Sequence, residues 1–369
     1  GETNWKMSDE TLEAYVRQYF AAQSPLVEEI DFAFQGGEPT LMGIEFYERL
    51  LTFQQKHLPD GKRVHNSLQT NGILLDDRWC EFLKKNDFLV GLSIDGPRDL
   101  HDKYRLDHAG AGTFDSVSAA LNLLQKHEVE FNALICVNRH NADHALDVYR
   151  FFRKRDVQFL QFIPIVEPIP EKGLGTFYAE NEKRLLTPIS DRSVTPEQLG
   201  KFLINVFEEW VWNDVGRIFV RDFDQSLSAW SGAGATLCVY APECGRATAI
   251  EHNGDIYACD HFVDPQHLLG NIHETPISVM ANSPEQEAFG RAKKDLLPQA
   301  CLACPFLNAC NGGCPKDRLV IQEGEPDRPL NYLCDGFKAY FEHIEPCMEF
   351  MTAELKAGRS PAGIMQRLQ

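Results

Sequence analysis

Residues 30–39 read Ile-Asp-Phe-Ala-Phe-Gln-Gly-Gly-Glu-Pro, a short apolar run that stops at two glycines. The run predicts a β-strand over 30–35, and apolar residues at helical spacing follow over Ile44–Lys56. The same order repeats along the first two-thirds of the chain. Further strands are predicted over 64–70, 88–94, 131–137, 159–163 and 218–223, and further helices over 76–85, 114–127, 142–155 and 196–214. Short apolar strands that alternate with amphipathic helices indicate βαβ units and a parallel sheet, and therefore an α/β fold.

Polar and glycine-rich residues follow several of these strands directly, at 35–38, 70–72 and 93–96. In a barrel-like α/β fold the carboxyl ends of the strands form the edge where ligands bind. The alternative is that these residues form ordinary tight turns. The segment Glu167–Thr195 is rich in Pro, Gly and charge, which predicts a loop.

The chain carries 36 Lys and Arg against 54 Asp and Glu, a formal net charge of −18 over 369 residues. This balance argues against a nucleic-acid backbone or an anionic membrane surface as the main partner. No apolar run approaches the roughly 18 residues of a membrane-spanning helix, and the first six residues show no secretory signal pattern. We therefore expect a cytoplasmic protein with reduced thiols, and we expect a monomer.

Cysteine is the exceptional residue type, since eight of the eleven cysteines lie between Cys238 and Cys334. Their order is Cys238-x5-Cys244, Cys259, Cys301-x2-Cys304-x5-Cys310-x3-Cys314 and Cys334. Eight thiolates make two four-cysteine sites, as two 4Fe–4S clusters require. Zinc is the alternative, because four-thiolate zinc sites also use C-x2-C pairs. Gly312 and Gly313 would let backbone approach a bulky inorganic core. The remaining three cysteines are expected to be buried core residues, namely Cys80, Cys136 and Cys347.

A stretch of small residues at 231–235 marks the expected domain boundary. We predict an α/β domain over 1–230, a cysteine-rich metal-binding domain over 231–340 and a C-terminal helical segment over 341–369.

The cysteine pattern, with Gly254 between Cys244 and Cys259, resembles the seven-cysteine pattern of the SPASM domain of radical SAM enzymes. Residues 36–39 look like the radical SAM GGE motif, and 69–72 and 93–97 are similar to the next two strand-end motifs. The stretches that most resemble the anaerobic sulfatase-maturating enzymes are 34–41, 66–72, 160–164 and 256–261. The resemblance covers nearly the whole chain. It implies a partial (β/α)6 TIM-like barrel, with the first strand missing from these residues, then a SPASM domain and a C-terminal helix.

The resemblance also implies two auxiliary 4Fe–4S clusters in the cysteine-rich region. The ligands of one cluster would be Cys238, Cys244, Cys259 and Cys314. The ligands of the other would be Cys301, Cys304, Cys310 and Cys334.

S-adenosylmethionine would bind at the strand ends of the barrel. By resemblance, its amino group would be held by Gly36, Gly37 and Glu38. Its carboxylate would be held by Ser93 and Arg105, and Arg suits bidentate carboxylate binding. The side chains that would line the active-site end are Gln35 and Asn71.

The activity implied by the resemblance is the conversion of a Cys or Ser of a nascent sulfatase to Cα-formylglycine. A 5′-deoxyadenosyl radical would remove a Cβ hydrogen, a carboxylate would accept a proton, and an electron would leave through an auxiliary cluster. Asp260, directly after Cys259, is the expected general base. The implied partners are the unfolded sulfatase polypeptide and a reducing donor such as flavodoxin or ferredoxin.

One departure from the family pattern concerns the radical-generating cluster. That cluster needs a C-x3-C-x2-C loop after the first barrel strand, and the 369 residues contain no such motif. We interpret the motif as belonging to a preceding segment, so that these residues by themselves would be inactive. The alternatives are another SPASM enzyme that modifies peptides, and a metal-stabilised scaffold without radical activity.

Overall fold

The computed structural model describes residues 5–169, 177–178 and 184–368. In chain order the strands are β1 (Glu29–Phe34), β2 (Arg63–Thr70), β3 (Leu89–Ser93), β4 (Phe131–Val137), β5 (Phe159–Pro164), β6 (Phe177–Tyr178), β7 (Arg184–Leu185), β8 (Phe219–Val220), β9 (Ala249–Ile250), β10 (Asp255–Tyr257), β11 (Leu268–Asn271), β12 (Arg318–Gln322) and β13 (Glu325–Asn331).

The helices alternate with the strands in the first two-thirds of the chain. They are α1 (Asp9–Ala22), α2 (Ile44–His57), α3 (Asp77–Lys85), α4 (Arg98–His101), α5 (Phe114–Lys126), α6 (Ala145–Arg153), α7 (Pro196–Asn213), α8 (Arg221–Ser231), α9 (Ile277–Met280), α10 (Pro284–Asp295), α11 (Gln299–Leu302), α12 (Leu307–Cys310), α13 (Cys334–Lys356) and α14 (Ile364–Leu368). Short 3₁₀ helices cover Pro39–Met42, Ala142–His144, Pro315–Asp317 and Pro361–Gly363.

The chain forms two compact units, and each is discontinuous in sequence. The first comprises Gly1–Leu92, Ser116–Phe131 and Cys244–Ala292. The second comprises Ser93–Asp115, Asn132–Glu243 and Lys293–Gln369. The predicted boundaries at 230 and 340 stay a prediction.

Parallel strands run through both units. In the first unit β1 pairs with β2 and β2 with β3, and in the second β4 pairs with β5 and β5 with β8, all parallel. Each unit adds an antiparallel sheet, with order β9-β10-β11 in the first and β6-β7-β12-β13 in the second. The predicted α/β fold with a parallel sheet is confirmed.

The predicted strand over 218–223 is wrong for its second half. Strand β8 ends at Val220 and helix α8 begins at Arg221. Acidic residues in the first turn favour a helix start here, and Asp222 and Asp224 supply them. Phe223 then packs against the aromatic ring of Trp210, at 5.1 Å between centroids. Of the loop predicted over Glu167–Thr195, residues 170–176 and 179–183 lie outside the described residues.

Helix α1 packs on two elements of the first unit at once. It begins after Ser8, whose hydroxyl accepts the N–H of Thr11 at 3.1 Å and so caps the helix. On one side, Tyr15, Tyr19 and Phe20 surround the buried ring of Phe32 in β1 in edge-to-face contacts.

Helix α1 also packs against the antiparallel sheet of the first unit, partly through the same tyrosines. Ala14, Tyr15, Tyr19 and Ala22 contact a buried apolar cluster formed by Ile256, Ile272, Ile277 and Met280. The Gln18 amide closes this contact, because its Nε2 donates to the Ile272 carbonyl at 2.9 Å and its Oε1 accepts the Ile277 N–H at 3.0 Å. Helix α1 therefore joins β1 to the region that follows β10.

Among the described residues, no helix combines the length and the apolar character needed to cross a bilayer.

Replacing Gln18 with Ala should weaken this junction, because two backbone groups lose their partner in one substitution. We expect the free energy of unfolding of the metal-free protein to fall by about 1–3 kcal/mol. Urea unfolding would measure it, with Arg17→Ala as the matched control on the exposed side of α1. An equal loss in both variants would contradict the role given to Gln18.

Candidate active site and cluster-binding loops

The loop after β1 contains two left-handed glycines and a carboxylate that ties it down. Gly36 and Gly37 have φ values of +85° and +52°, which side chains other than glycine rarely adopt. The Oε1 atom of Glu38 accepts from the N–H and hydroxyl of Thr40 and from the hydroxyl of Thr70, at 3.1, 2.6 and 2.8 Å. Its Oε2 accepts the N–H of Asn71 at 2.8 Å. The Glu38 carboxylate therefore fastens the end of β1 to the end of β2.

The loop after β2 is shaped by its own side chains. The Asn71 Oδ1 accepts the N–H of Ile73 at 3.0 Å, which forms an Asx-turn. Gly72 has a φ of +76°, and a Cβ there would lie 2.6 Å from the Leu92 side chain, so glycine is required. The cofactor-binding and substrate-lining roles expected of these two loops stay predictions.

A cavity of about 500 Å³ opens beside the first loop. The loop itself, Gln35–Glu38, forms part of its wall, and Phe34, Met42 and His252 also line it. Its volume lies within the range of roughly 300–1,000 Å³ usual for small-molecule sites. The first unit thus offers a ligand-sized space at the end of a parallel strand.

The structure brings together two residues expected at the active site, Gln35 and Asp260. The Nε2 of Gln35, directly after β1, donates to the Oδ2 of Asp260 at 2.6 Å. The thiol of Cys259 donates to the Oδ1 of the same carboxylate at 3.1 Å. Two residues from distant parts of the sequence therefore share one carboxylate.

The pKa of Asp260 lies below its usual value. Burial raises this pKa, but the hydrogen bond from Cys259, the nearby His261 and the hydrogen bond from Gln35 together outweigh burial. Asp260 is therefore an ionised carboxylate at neutral pH, the form that accepts a proton. A Cys259 thiolate bound to iron would have no proton to donate, and the hydrogen bond from Gln35 would remain to hold this carboxylate.

Arg105 is bound to a carboxylate of the protein itself. Its Nε and Nη2 donate to the two carboxylate oxygens of Asp95 at 2.6 and 3.0 Å, and Nη2 also contacts the Cys136 sulfur at 3.4 Å. The Asp95 side chain is only 3% exposed. The expectation that Arg105 and Ser93 hold the carboxylate of S-adenosylmethionine stays a prediction.

Asp95 was not among the predicted site residues, although it directly follows the strand predicted over 88–94 and belongs to the strand-end motif at 93–97. Its N–H donates to the Nδ1 of His101 at 3.2 Å, and the other ring nitrogen of His101 contacts the Thr113 hydroxyl at 3.1 Å. Burial lowers the pKa of His101 to about 4, so the ring is neutral at physiological pH. Asp95 thus organises the segment that carries Arg105.

The cysteine loop of the second unit fits an iron–sulfur cluster. The Cys301, Cys304 and Cys310 thiols lie close enough to influence one another, since burial and the neighbouring sulfurs raise the pKa of Cys301 to about 11. The backbone N–H groups of Gly312 and Gly313 face the Cys310 sulfur, whose pKa burial raises. Sulfur-directed N–H groups and grouped thiols are the donor set that such a cluster needs.

Both glycines are required by this loop. They have φ values of +73° and +64°. A Cβ would lie 2.5 Å from the Leu297 side chain at Gly312 and 2.5 Å from the Asn331 side chain at Gly313. The expectation that these glycines let backbone approach an inorganic core stays a prediction.

The other expected ligands are distributed over both units. Cys244 and Cys259 belong to the first unit, and Cys238, Cys314 and Cys334 to the second. Among the described residues, no three His, Cys, Asp or Glu side chains converge closely enough to hold a single metal ion. The two ligand sets stay predictions.

Two family models match the chain. Residues 2–152 match the radical SAM superfamily, and residues 238–305 match SPASM, an iron–sulfur cluster-binding domain. The second match favours the iron–sulfur interpretation of the cysteines over zinc.

Curated relatives match over most of their length. The chain is 43% identical to the "Serine-type anaerobic sulfatase-maturating enzyme" of Bacteroides thetaiotaomicron over 98% of this chain and 87% of the relative. It is 35% identical to the "Cysteine-type anaerobic sulfatase-maturating enzyme" of Clostridium perfringens over 92% of this chain and 87% of the relative. The solved structure "Native anSMEcpe with bound AdoMet and Kp18Cys peptide" superimposes with a TM-score of 0.83, at 34% identity over 94% of this chain and 91% of that one.

Replacing Arg105 with Met should destabilise the metal-free protein, because the buried Asp95 carboxylate loses its guanidinium partner. We expect a loss of about 3 kcal/mol or more in the free energy of unfolding. Arg98→Met, which breaks the exposed pair with Asp115, is the control and should change it by about 1 kcal/mol or less. Unchanged stability in Arg105→Met, together with lost binding of S-adenosylmethionine, would show that the guanidinium serves the ligand instead.

Proposed function

Because the chain belongs to the anaerobic sulfatase-maturating enzymes, within the radical SAM superfamily, we propose that it oxidises a Cys or Ser side chain of a sulfatase polypeptide to Cα-formylglycine. The observation that carries this proposal is the Asp260 carboxylate, held by Gln35 at 2.6 Å and adjacent to Cys259. The two domain matches imply iron–sulfur clusters and S-adenosylmethionine as cofactors.

The reaction sets a requirement that this arrangement meets. When bound, S-adenosylmethionine and the clusters supply the radical that removes a Cβ hydrogen and the acceptor for the electron that must then leave. The substrate radical also loses the proton of the Ser hydroxyl or the Cys thiol, which gives an aldehyde from Ser and from Cys a thioaldehyde that water converts to the aldehyde. Asp260 accepts that proton, and Gln35 keeps its carboxylate oriented.

The cofactor count is part of the proposal. One auxiliary 4Fe–4S cluster would be held by Cys238, Cys244, Cys259 and Cys314. The other would be held by Cys301, Cys304, Cys310 and Cys334. A third cluster needs three thiolates in a C-x3-C-x2-C loop, which residues 1–369 do not contain. We propose that residues outside this stretch provide it, and that the 369 residues alone do not cleave S-adenosylmethionine.

The proposed partners are an unfolded sulfatase chain and a low-potential donor such as flavodoxin or ferredoxin. The peptide in the similar solved structure supports a peptide substrate. Monomeric state and cytoplasmic location stay predictions. Crosslinking of another peptide by a SPASM enzyme and a scaffold without radical activity are not favoured, because the curated relatives reported above are named as sulfatase-maturating enzymes.

Anaerobically prepared protein comprising the 369 residues should contain about eight iron and eight sulfide, as two four-iron clusters require. Replacing Cys301 and Cys304 with Ala should remove about half of the iron. Cys347→Ala is the control and should leave the iron content unchanged. Stoichiometric zinc without sulfide in protein kept free of oxygen would overturn the proposed cofactors.

Asp260→Asn keeps the size of the side chain but removes the proton acceptor. In the full-length gene product we expect formylglycine yield to fall roughly 10²-fold or more, while iron content and 5′-deoxyadenosine formation persist. Mass spectrometry of a sulfatase-motif peptide measures the yield, and Asp264→Asn, a nearby carboxylate paired with His267, is the matched control. A near-normal yield from Asp260→Asn with its clusters intact would show that another group takes the proton.

A further inference from the structure

The last turn of helix α10 contains a lysine in the interior of the second unit. Lys293 is 1% exposed, whereas its neighbour Lys294 is exposed. Burial of an ammonium group is strongly unfavourable unless the group is compensated by polar partners. Neither the strand-end motifs nor the cysteine spacing gives this residue a role.

The partners of Lys293 are carbonyl groups of the turn that begins with Cys238. Its Nζ donates to the carbonyl oxygens of Cys238 at 2.5 Å, Val239 at 2.9 Å and Ala241 at 2.5 Å. An ammonium has three N–H donors, which matches the three carbonyl acceptors. A neutral amine has only two N–H donors, so three carbonyl acceptors favour the cationic form.

The same cation faces a second cysteine. The Lys293 ammonium lies within electrostatic range of the Cys310 thiol. The Nδ2 of Asn311, the residue after Cys310, donates to the carbonyl of Tyr240 at 2.8 Å. The turn after Cys238 and the loop after Cys310 are therefore neighbours, and Lys293 lies beside both.

A positive charge at this point has a direct electrostatic consequence. A cluster held by four thiolates is anionic and gains one further negative charge on reduction. A buried cation stabilises the reduced form more than the oxidised form, because screening by water is weak in the interior. Net charge and hydrogen bonding near the sulfurs are the levers that set the potentials of such clusters.

We propose that Lys293 is a positioning residue that holds the Cys238–Ala241 turn beside the Cys310 loop and raises the reduction potential of an auxiliary cluster held by these cysteines, so that this cluster more readily accepts the electron released by the substrate. The inference rests on the proposed function, because the proposed ligand set includes Cys238. The electron comes from the substrate carbon radical, whose proton passes to Asp260, so charge and atoms balance without another reactant.

The test separates the charge of Lys293 from its hydrogen bonds. Lys293→Gln removes the cation but keeps an amide donor, Lys293→Arg keeps the cation, and Lys294→Gln removes an exposed charge from the same helix end. Redox titration followed by electron paramagnetic resonance gives the midpoint potentials of the loaded 369-residue protein, which requires neither S-adenosylmethionine nor turnover.

We expect Lys293→Gln to lower the midpoint potential of one auxiliary cluster by about 59 mV. For a one-electron couple this corresponds to a tenfold lower reduced-to-oxidised ratio at a given solution potential. Lys293→Arg and Lys294→Gln should stay near the wild-type value. An unchanged potential in Lys293→Gln, or an equal change in Lys294→Gln, would overturn the proposal.

If a variant binds iron poorly, its iron content is compared with the wild-type value, and thermal unfolding of the metal-free variant shows whether it is folded. Loss of iron from Lys293→Gln but not from Lys293→Arg, with both variants folded, would support the positioning role. Loss of iron from both folded variants would overturn the claim that the positive charge is what matters. Wild-type protein that binds no iron would instead contradict the proposed function, so the two failures are distinguishable.

Discussion

The first unit depends on helix α1 being covered on two sides. Its aromatic side chains enclose Phe32 of β1, and residues from Ala14 to Ala22 of the same helix contact Ile272, Ile277 and their neighbours. The amide of Gln18 adds two directed hydrogen bonds to that apolar contact. Because apolar packing is not directional, these two bonds help to fix the register between helix and sheet. Gln35 directly follows β1 and Asp260 lies three residues after the end of β10, and α1 packs against both strands, so its position bears on the approach of Gln35 to Asp260.

The regular elements of the α/β region were predictable because their signals are local. The alternation of apolar strands with amphipathic helices predicted their positions within a few residues. The strand predicted over 218–223 was wrong because Phe223 is buried by helical packing on Trp210, and a short apolar run does not distinguish the two states. The cysteine spacing indicated a cluster-binding region, but the Asp95–Arg105 pair depends on contacts that no local pattern encodes.

The net charge of the chain does not describe the local charge around the cysteine loops where the clusters are proposed to bind. The total is −18, yet two cations are buried beside the cysteine loops of the second unit. Arg318 is 6% exposed, and its Nε donates to the Gly312 carbonyl at 3.3 Å. Lys293 donates to carbonyl groups of the turn that begins with Cys238. Both cations bind carbonyl oxygens of turns next to cysteines. An acidic surface and a locally positive interior are compatible, because exposed charges are screened by salt and buried ones much less.

The discontinuity of the first unit has a consequence for synthesis on the ribosome. Helix α1 ends at Ala22, but the residues that cover its second side begin only at Cys244. At about 5–20 residues per second, the covering segment emerges roughly 10 to 45 s later. During that interval Tyr15 and Ala22 lack their native contacts with the apolar cluster of Ile256, Ile272, Ile277 and Met280. A nascent chain with this topology exposes an apolar helix face to chaperones until the covering residues, as far as Met280, have been translated.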